Sequence, residues 1–163
     1  MKSTAHVNGH PVHPMLIPYP FALLSSSLAF DIGATVSGRA SWSQTGRHLA
    51  AAGLGSAVVA AVPGIVDYFG SVPARTRARR DATIHALCNV SALACFVLSG
   101  SRREANGRLP RTGVAFGVIG TALLSLGGWL GGELVYHQHI GVVDAPLREM
   151  PFRDIGALKH RGA

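Results

Sequence analysis

The residues best suited to chemistry in this chain are histidines and carboxylates that flank or enter long apolar segments. Imidazole and carboxylate groups together are typical ligands of transition metals, and two imidazoles from facing helices suit a b-type haem. Ionisable groups inside a membrane are costly, so they usually face a partner or a cavity. The candidate metal ligands are His10, His13, Asp67, His85, Glu133 and His137.

Four apolar runs carry these residues, at about residues 15–36, 48–69, 82–99 and 112–136. Each is long enough to cross a hydrocarbon core of about 30 Å as a helix. Charged residues make up only 14% of the chain, against about 25% in soluble domains. Leu49–Val66 and Val114–Leu130 contain no charged residue on any face, unlike the helices of a soluble bundle. We therefore predict an all-α integral membrane four-helix bundle.

Four spans predict an up-down-up-down topology with both chain termini on the same side. We call that end of the bundle end A and the opposite end, end B. Residues 1–14 form a polar lead rich in His and Pro, and residues 137–163 form a polar surface tail. No secretory cleavage site is visible, so the first span is expected to act as the insertion signal. Asp81 is the predicted N-cap of the third helix, and Ser37–Arg47 is predicted to be a loop.

The net charge of +7 comes mostly from Arg residues between the apolar runs. This pattern indicates contact with lipid headgroups and a role in membrane orientation. Nucleic-acid binding is disfavoured, because the sequence has no basic face with interleaved aromatic residues. Basic residues are slightly more numerous at end A, which predicts that both termini lie on the cytoplasmic side of the membrane. Cys88 and Cys95 lie two helical turns apart, too far for a disulfide, and are interpreted as small buried hydrophobes.

The spans bring the candidate ligands to end A, where two of His13, His85 and His137 are predicted to bind a haem b or a transition metal. Asp67 and Glu133 would orient these ligands or take up protons. A structural alternative stays open: Asp67 pairs with an Arg of the basic loop at residues 70–80, and the other residues reach the headgroups.

Glycines dominate the fourth span between residues 127 and 132, where small residues allow close approach of another helix. This predicts packing within the bundle or a homo-oligomer. No sequence feature supports a hydrolase: the chain has no P-loop and no CxxC pair, and the serines at 25–27 have no nearby base.

Three segments together resemble the bacterial four-span membrane family known as domain of unknown function DUF2231. They are residues 9–18 (GHPVHPMLIP) leading to Asp31, residues 64–68 (GIVDY), and residues 127–136 (GGWLGGELVY) followed by Gly141 and Val142. The pair His85 and Asn89 also fits. The resemblance covers about residues 9–143 and brings no established reaction. It implies electron transfer, because relatives can be joined to Rieske-type iron–sulfur or cytochrome c domains.

Two functions follow from these observations. The first is a haem- or metal-binding electron-transfer module that works with a redox or membrane protein partner. The second is a non-enzymatic membrane subunit or small transporter, whose polar cluster is a proton or solute site or a structural network.

Overall fold

The computed structural model describes residues 2–105 and 107–142, and these residues are mostly helical. The predicted tail beyond them, residues 143–163, lies outside the described residues. A short antiparallel hairpin precedes the helices. In chain order the elements are β1 (His6–Val7), β2 (His10–Pro11), α1 (Val12–Leu16), α2 (Pro18–Ser37), α3 (Ala40–Gly70), α4 (Arg77–Ser101) and α5 (Arg111–Tyr136).

The long helices cross a membrane, and their surfaces explain why. Within the described residues the spans have mean hydropathies between 1.4 and 2.0. Large apolar side chains such as Val58, Val62, Leu87 and Val90 point away from the bundle. Water would oppose this exposure, whereas lipid tails favour it. The prediction of an integral membrane four-helix bundle is confirmed.

The turn at end B between α2 and α3 is shorter than predicted. Gly38 ends α2 in the left-handed conformation, with φ of 70°, and only Arg39 separates it from α3. Glycine adopts this conformation without a steric penalty, so it is a common terminator of helices. The polar residues from Ala40 onward therefore extend α3 instead of forming the predicted loop.

The predicted N-cap of the third long helix is wrong. α4 begins at Arg77, and the Thr76 side chain caps it by accepting a hydrogen bond from the Arg79 amide at 3.2 Å. Asp81 lies one turn inside the helix, where it accepts from Gln138 Nε2 at 2.8 Å. The first turn of α4 is rich in Arg, so a pattern based on hydrophobicity does not reveal where the helix begins.

The bundle consists of two helical hairpins. α2 packs along α3 and α4 packs along α5, whereas contacts between the hairpins are fewer. The helices alternate in direction, and Lys2 pairs with Gly141 beside the end of α5. Both ends of the described chain thus lie at end A, as predicted. A buried cluster joins the hairpins at mid-height, formed by Leu24, Ala92, Phe96 and Leu124.

Candidate functional site

His13 lies on α1 at end A, with its ring against α3. Its Nδ1 atom is 2.8 Å from the carbonyl oxygen of Ala60. A carbonyl only accepts hydrogen bonds, so Nδ1 carries a proton, and Nε2 is the ring nitrogen that could bind a ligand. Gly64 makes this position possible, because a Cβ atom there would lie 2.8 Å from His13 Cε1.

His85 repeats this arrangement in the second hairpin. It lies on α4, and its Nδ1 atom is 2.7 Å from the carbonyl oxygen of Gly127 on α5. Its ring lies over Gly131, where a Cβ atom would be 3.1 Å from Cε1. Asn89 Nδ2 donates to the His85 carbonyl at 2.8 Å and lies 3.2 and 3.4 Å from the two ring nitrogens. Being almost equidistant from both nitrogens, this amide does not lie along the Nε2 lone pair.

The two histidines meet between the hairpins. Their ring centroids are 6.2 Å apart, and the ring planes are nearly perpendicular at 89°. Each ring is oriented by a backbone carbonyl of its own hairpin, as histidines that bind metals usually are. The structure therefore brings together His13 and His85, two of the three predicted cofactor ligands.

His137 and Glu133 form a separate pair at the end of α5. His137 Nδ1 is 2.7 Å from Glu133 Oε2, and the His137 side chain is 72% exposed. Arg77 also approaches Glu133, at 4.0 Å. This pair is a partly solvated surface contact, and surface ion pairs contribute little to stability.

Asp67 anchors the segment that precedes the helices. Its Oδ1 atom accepts hydrogen bonds from the Ser3 hydroxyl, the Thr4 amide, the Ala5 amide and the Ser71 hydroxyl, at 2.8 to 3.0 Å. Ser3 also lies 2.8 Å from Oδ2. The open alternative for Asp67, a pairing with an Arg of the basic loop, is therefore replaced by a cap for the N-terminal segment.

The predicted metal ligands do not form one multidentate site in the described part of the chain. Across residues 2–105 and 107–142, no group of three or more His, Cys, Asp or Glu side chains could hold a metal ion. His10 lies exposed on β2, with its Nδ1 atom 3.1 Å from the Asn8 carbonyl oxygen. Cys88 and Cys95 are free thiols and only partly buried.

A buried ion pair at end B escaped the sequence reasoning. Arg103 Nη2 lies 2.9 Å from both carboxylate oxygens of Asp31, and the two side chains are only 9% and 5% exposed. Arg103 Nη1 donates to the Ser43 carbonyl and hydroxyl and to the Gly107 carbonyl. Asp31 stood out in the sequence as an acid inside a span, but its partner lay in a loop with several other arginines.

The comparison with known families places these residues in one matched region. The model of a family described as a predicted membrane protein, DUF2231, matches residues 9–144. This chain belongs to DUF2231. Neither curated proteins nor solved structures show a significant match to it.

The DUF2231 match covers both halves of the candidate site. His13 and His85 lie inside it, as do Asp31 and Arg103. The match ends just after α5, so it comprises all the spans and leaves out most of the polar lead and tail. The family description establishes a membrane protein.

Proposed function

We propose that this DUF2231 protein is a membrane electron-transfer module that binds a b-type haem between His13 and His85. The supporting observation is the pair itself: two imidazoles from different hairpins, each with Nδ1 bonded to a backbone carbonyl, so that Nε2 is the ring nitrogen left to act as a ligand. Two histidines on facing helices are a common way to hold haem in a membrane bundle.

The number of converging ligands favours haem over a bare metal ion. A structural metal site usually needs four protein ligands, but only two imidazoles meet here. A haem supplies four ligands from its own ring and needs only two axial ligands from the protein. The two ring centroids lie 6.2 Å apart, so both imidazoles would be near one cofactor held between the hairpins.

A bound haem would supply one-electron redox chemistry. The residues of this chain would hold His13 and His85 in position through Ala60 and Gly127, and they would keep each ring in the tautomer that leaves Nε2 unprotonated. Asn89 would add a polar group beside His85. The electron donor and acceptor would be a redox or membrane protein partner.

The test is the spectrum of the full chain purified in detergent from cells supplied with a haem precursor. We expect reduced-minus-oxidised difference bands of a b-type haem. His13→Ala and His85→Ala should lose the bands, whereas His137→Ala should keep them, because His137 lies in the exposed pair with Glu133. Size-exclusion profiles report whether each variant is folded.

Two results would reject the proposal. One is a wild-type protein that is free of haem as purified and does not take up added haem. The other is a haem spectrum that persists in both folded His13→Ala and folded His85→Ala. Metal analysis of the same samples distinguishes a haem from a bare transition metal ion.

A proton or solute site is the second candidate function, and it is supported by the polar network around His85. In the described residues every buried side-chain nitrogen or oxygen has a hydrogen-bond partner. Such a network can act without a cofactor. This candidate gains support if the protein is haem-free and His85→Ala abolishes proton flux into liposomes, while His137→Ala does not.

We further propose that the protein resides in a bacterial inner membrane with cytoplasmic termini. The basic residues of end A support this assignment, since cytoplasmic loops are enriched in Lys and Arg. In the described residues they include Arg75, Arg77, Arg79 and Arg80. Reporter fusions after α3 and after α2 test it: cytoplasmic reporters should be active only after α3.

A further inference from the structure

The two hairpins repeat each other in their glycine pattern. In α3 the glycines Gly46, Gly53 and Gly64 follow one another at the same intervals as Gly113, Gly120 and Gly131 in α5. Each of these six glycines lies where an added Cβ would approach a neighbouring helix to 3.3 Å or less. Shared spacing and shared close packing indicate equivalent positions in two copies of one unit.

The packing partners of these glycines are also equivalent. A Cβ at Gly46 would lie 3.2 Å from the Ser27 carbonyl oxygen, and one at Gly113 would lie 3.3 Å from the Ser99 carbonyl oxygen. Ser27 and Ser99 have the same separation in sequence as Asp31 and Arg103, which are 72 residues apart. The contact between the helices of a hairpin is thus reproduced in the second hairpin, with an offset of 72 residues from α2 to α4 and of 67 residues between the matched glycines of α3 and α5.

The same two offsets relate the contacts in the middle of the hairpins. Gly53 packs against Leu24, and its counterpart Gly120 packs against Phe96. Leu24 and Phe96 both belong to the buried cluster that joins the hairpins.

The same two offsets also relate the contacts of the two hairpins at the histidine end. Gly64 lies under His13 and Gly131 lies under His85. In both hairpins the carbonyl bonded to the histidine belongs to the residue four positions before that glycine. Four matched contacts along the whole length of the hairpins make coincidence an inadequate explanation.

Equivalent residues meet each other at both ends of the bundle. His13 faces its counterpart His85 at end A, and Asp31 contacts its counterpart Arg103 at end B. Two residues related by a two-fold rotation can touch each other only near the rotation axis. A pseudo-two-fold axis therefore runs along the bundle through both pairs, as in membrane proteins built from parallel repeats.

We infer that Asp31 and Arg103 determine how the two hairpins pair. Their opposite charges direct the first hairpin onto the second and hold His13 opposite His85. The inference does not depend on a haem. On the axis an identical residue in both repeats would face itself, so two Asp or two Arg side chains would oppose like charges in a buried site.

Because the pair is buried, its charges strongly affect how the two hairpins pack together. Both side chains are almost fully buried, and like charges brought together there cost several kcal/mol. The remaining Arg103 donors bind Ser43 and Gly107, which lie in different hairpins. The pair therefore ties α2, α3 and the α4–α5 loop together at one end of the axis, and the histidines lie at the other end.

The test measures the distance between the hairpins at the histidine end in the full chain. Spin labels are attached at Met15→Cys and Leu87→Cys, equivalent positions that are each 61% exposed, after Cys88 and Cys95 are replaced by Ala. Pulsed electron resonance then compares Asp31→Arg, Arg103→Asp and the exchanged double variant. Arg102→Asp is the control, because Arg102 is exposed and lies over Phe116, away from the axis.

We expect one narrow distance distribution in the parent and in Arg102→Asp, a broad or shifted one in each single reversal, and a narrow one again in the exchange. A pair that only adds stability would leave the distance in the folded fraction unchanged. Unchanged distributions in both reversals, or an exchange as broad as the single reversals, would overturn the inference. If a reversal gives no folded protein, Asp31→Asn replaces it, and a parent-like distribution there counts equally against the inference.

Discussion

Removing the Asp67 carboxylate should release the N-terminal segment from the bundle. Three donors of this segment, the Ser3 hydroxyl and the amides of Thr4 and Ala5, converge on Asp67 at 2.8 to 3.0 Å. Hydrogen bonds to a charged group contribute about 1.5–3 kcal/mol each. They are not additive, and ordering the segment offsets part of the sum, so we expect a net loss of about 3 kcal/mol in Asp67→Ala.

Hydrogen exchange measures this loss directly at the donating amides. A change of about 3 kcal/mol corresponds to a roughly 100-fold increase in opening, which should appear as faster exchange at Thr4 and Ala5. Asp67→Asn keeps one acceptor oxygen and should give a smaller increase. Glu133→Ala removes a carboxylate from the same end of the bundle and should leave both amides protected. Exchange rates in Asp67→Ala equal to those of the wild type would refute the anchoring role.

Three further changes probe other parts of the structure. Arg103→Ala should destabilise the protein by about 3–5 kcal/mol, because it leaves a buried carboxylate unpaired. Adding Asp31→Ala should recover part of that loss, and a double variant less stable than Arg103→Ala in detergent unfolding would contradict this. Gly64→Ala should push the His13 ring and lower haem content, whereas Gly55→Ala, with open space around it, should not. Thr76→Ala should cost about 1 kcal/mol through the lost N-cap, and unchanged unfolding would argue against that cap.

The sequence predicted the membrane bundle because hydrophobicity is a local property. Segments such as Leu49–Val66 lack charge on every face, and lipid is the solvent that accepts such a helix. The ends of the helices were less predictable. Thr76 and Gly38 set two of them, and capping depends on a few polar contacts that hydropathy does not register.

The candidate site was predicted in part. Placing each histidine by depth was enough to expect His13 and His85 at one end of the bundle. Depth does not give the direction of a side chain around its helix, so His137 could not be separated from them. The spacing of Glu133 and His137 places them on one helical face, but only the structure shows that His137 is exposed and that Asp67 binds the N-terminal segment.

The internal repeat lies between these two cases. The repeated glycine spacing is present in the sequence, but glycine is common here and its spacing becomes meaningful only through the contacts of each residue. The sequence by itself determined that four apolar helices cross the membrane and that histidines and carboxylates gather at end A. The tertiary structure alone decided which residues face each other: His13 with His85, and Asp31 with Arg103. The physical reason is that burial in lipid follows from composition along the chain, whereas pairing depends on the rotation and packing of helices far apart in sequence.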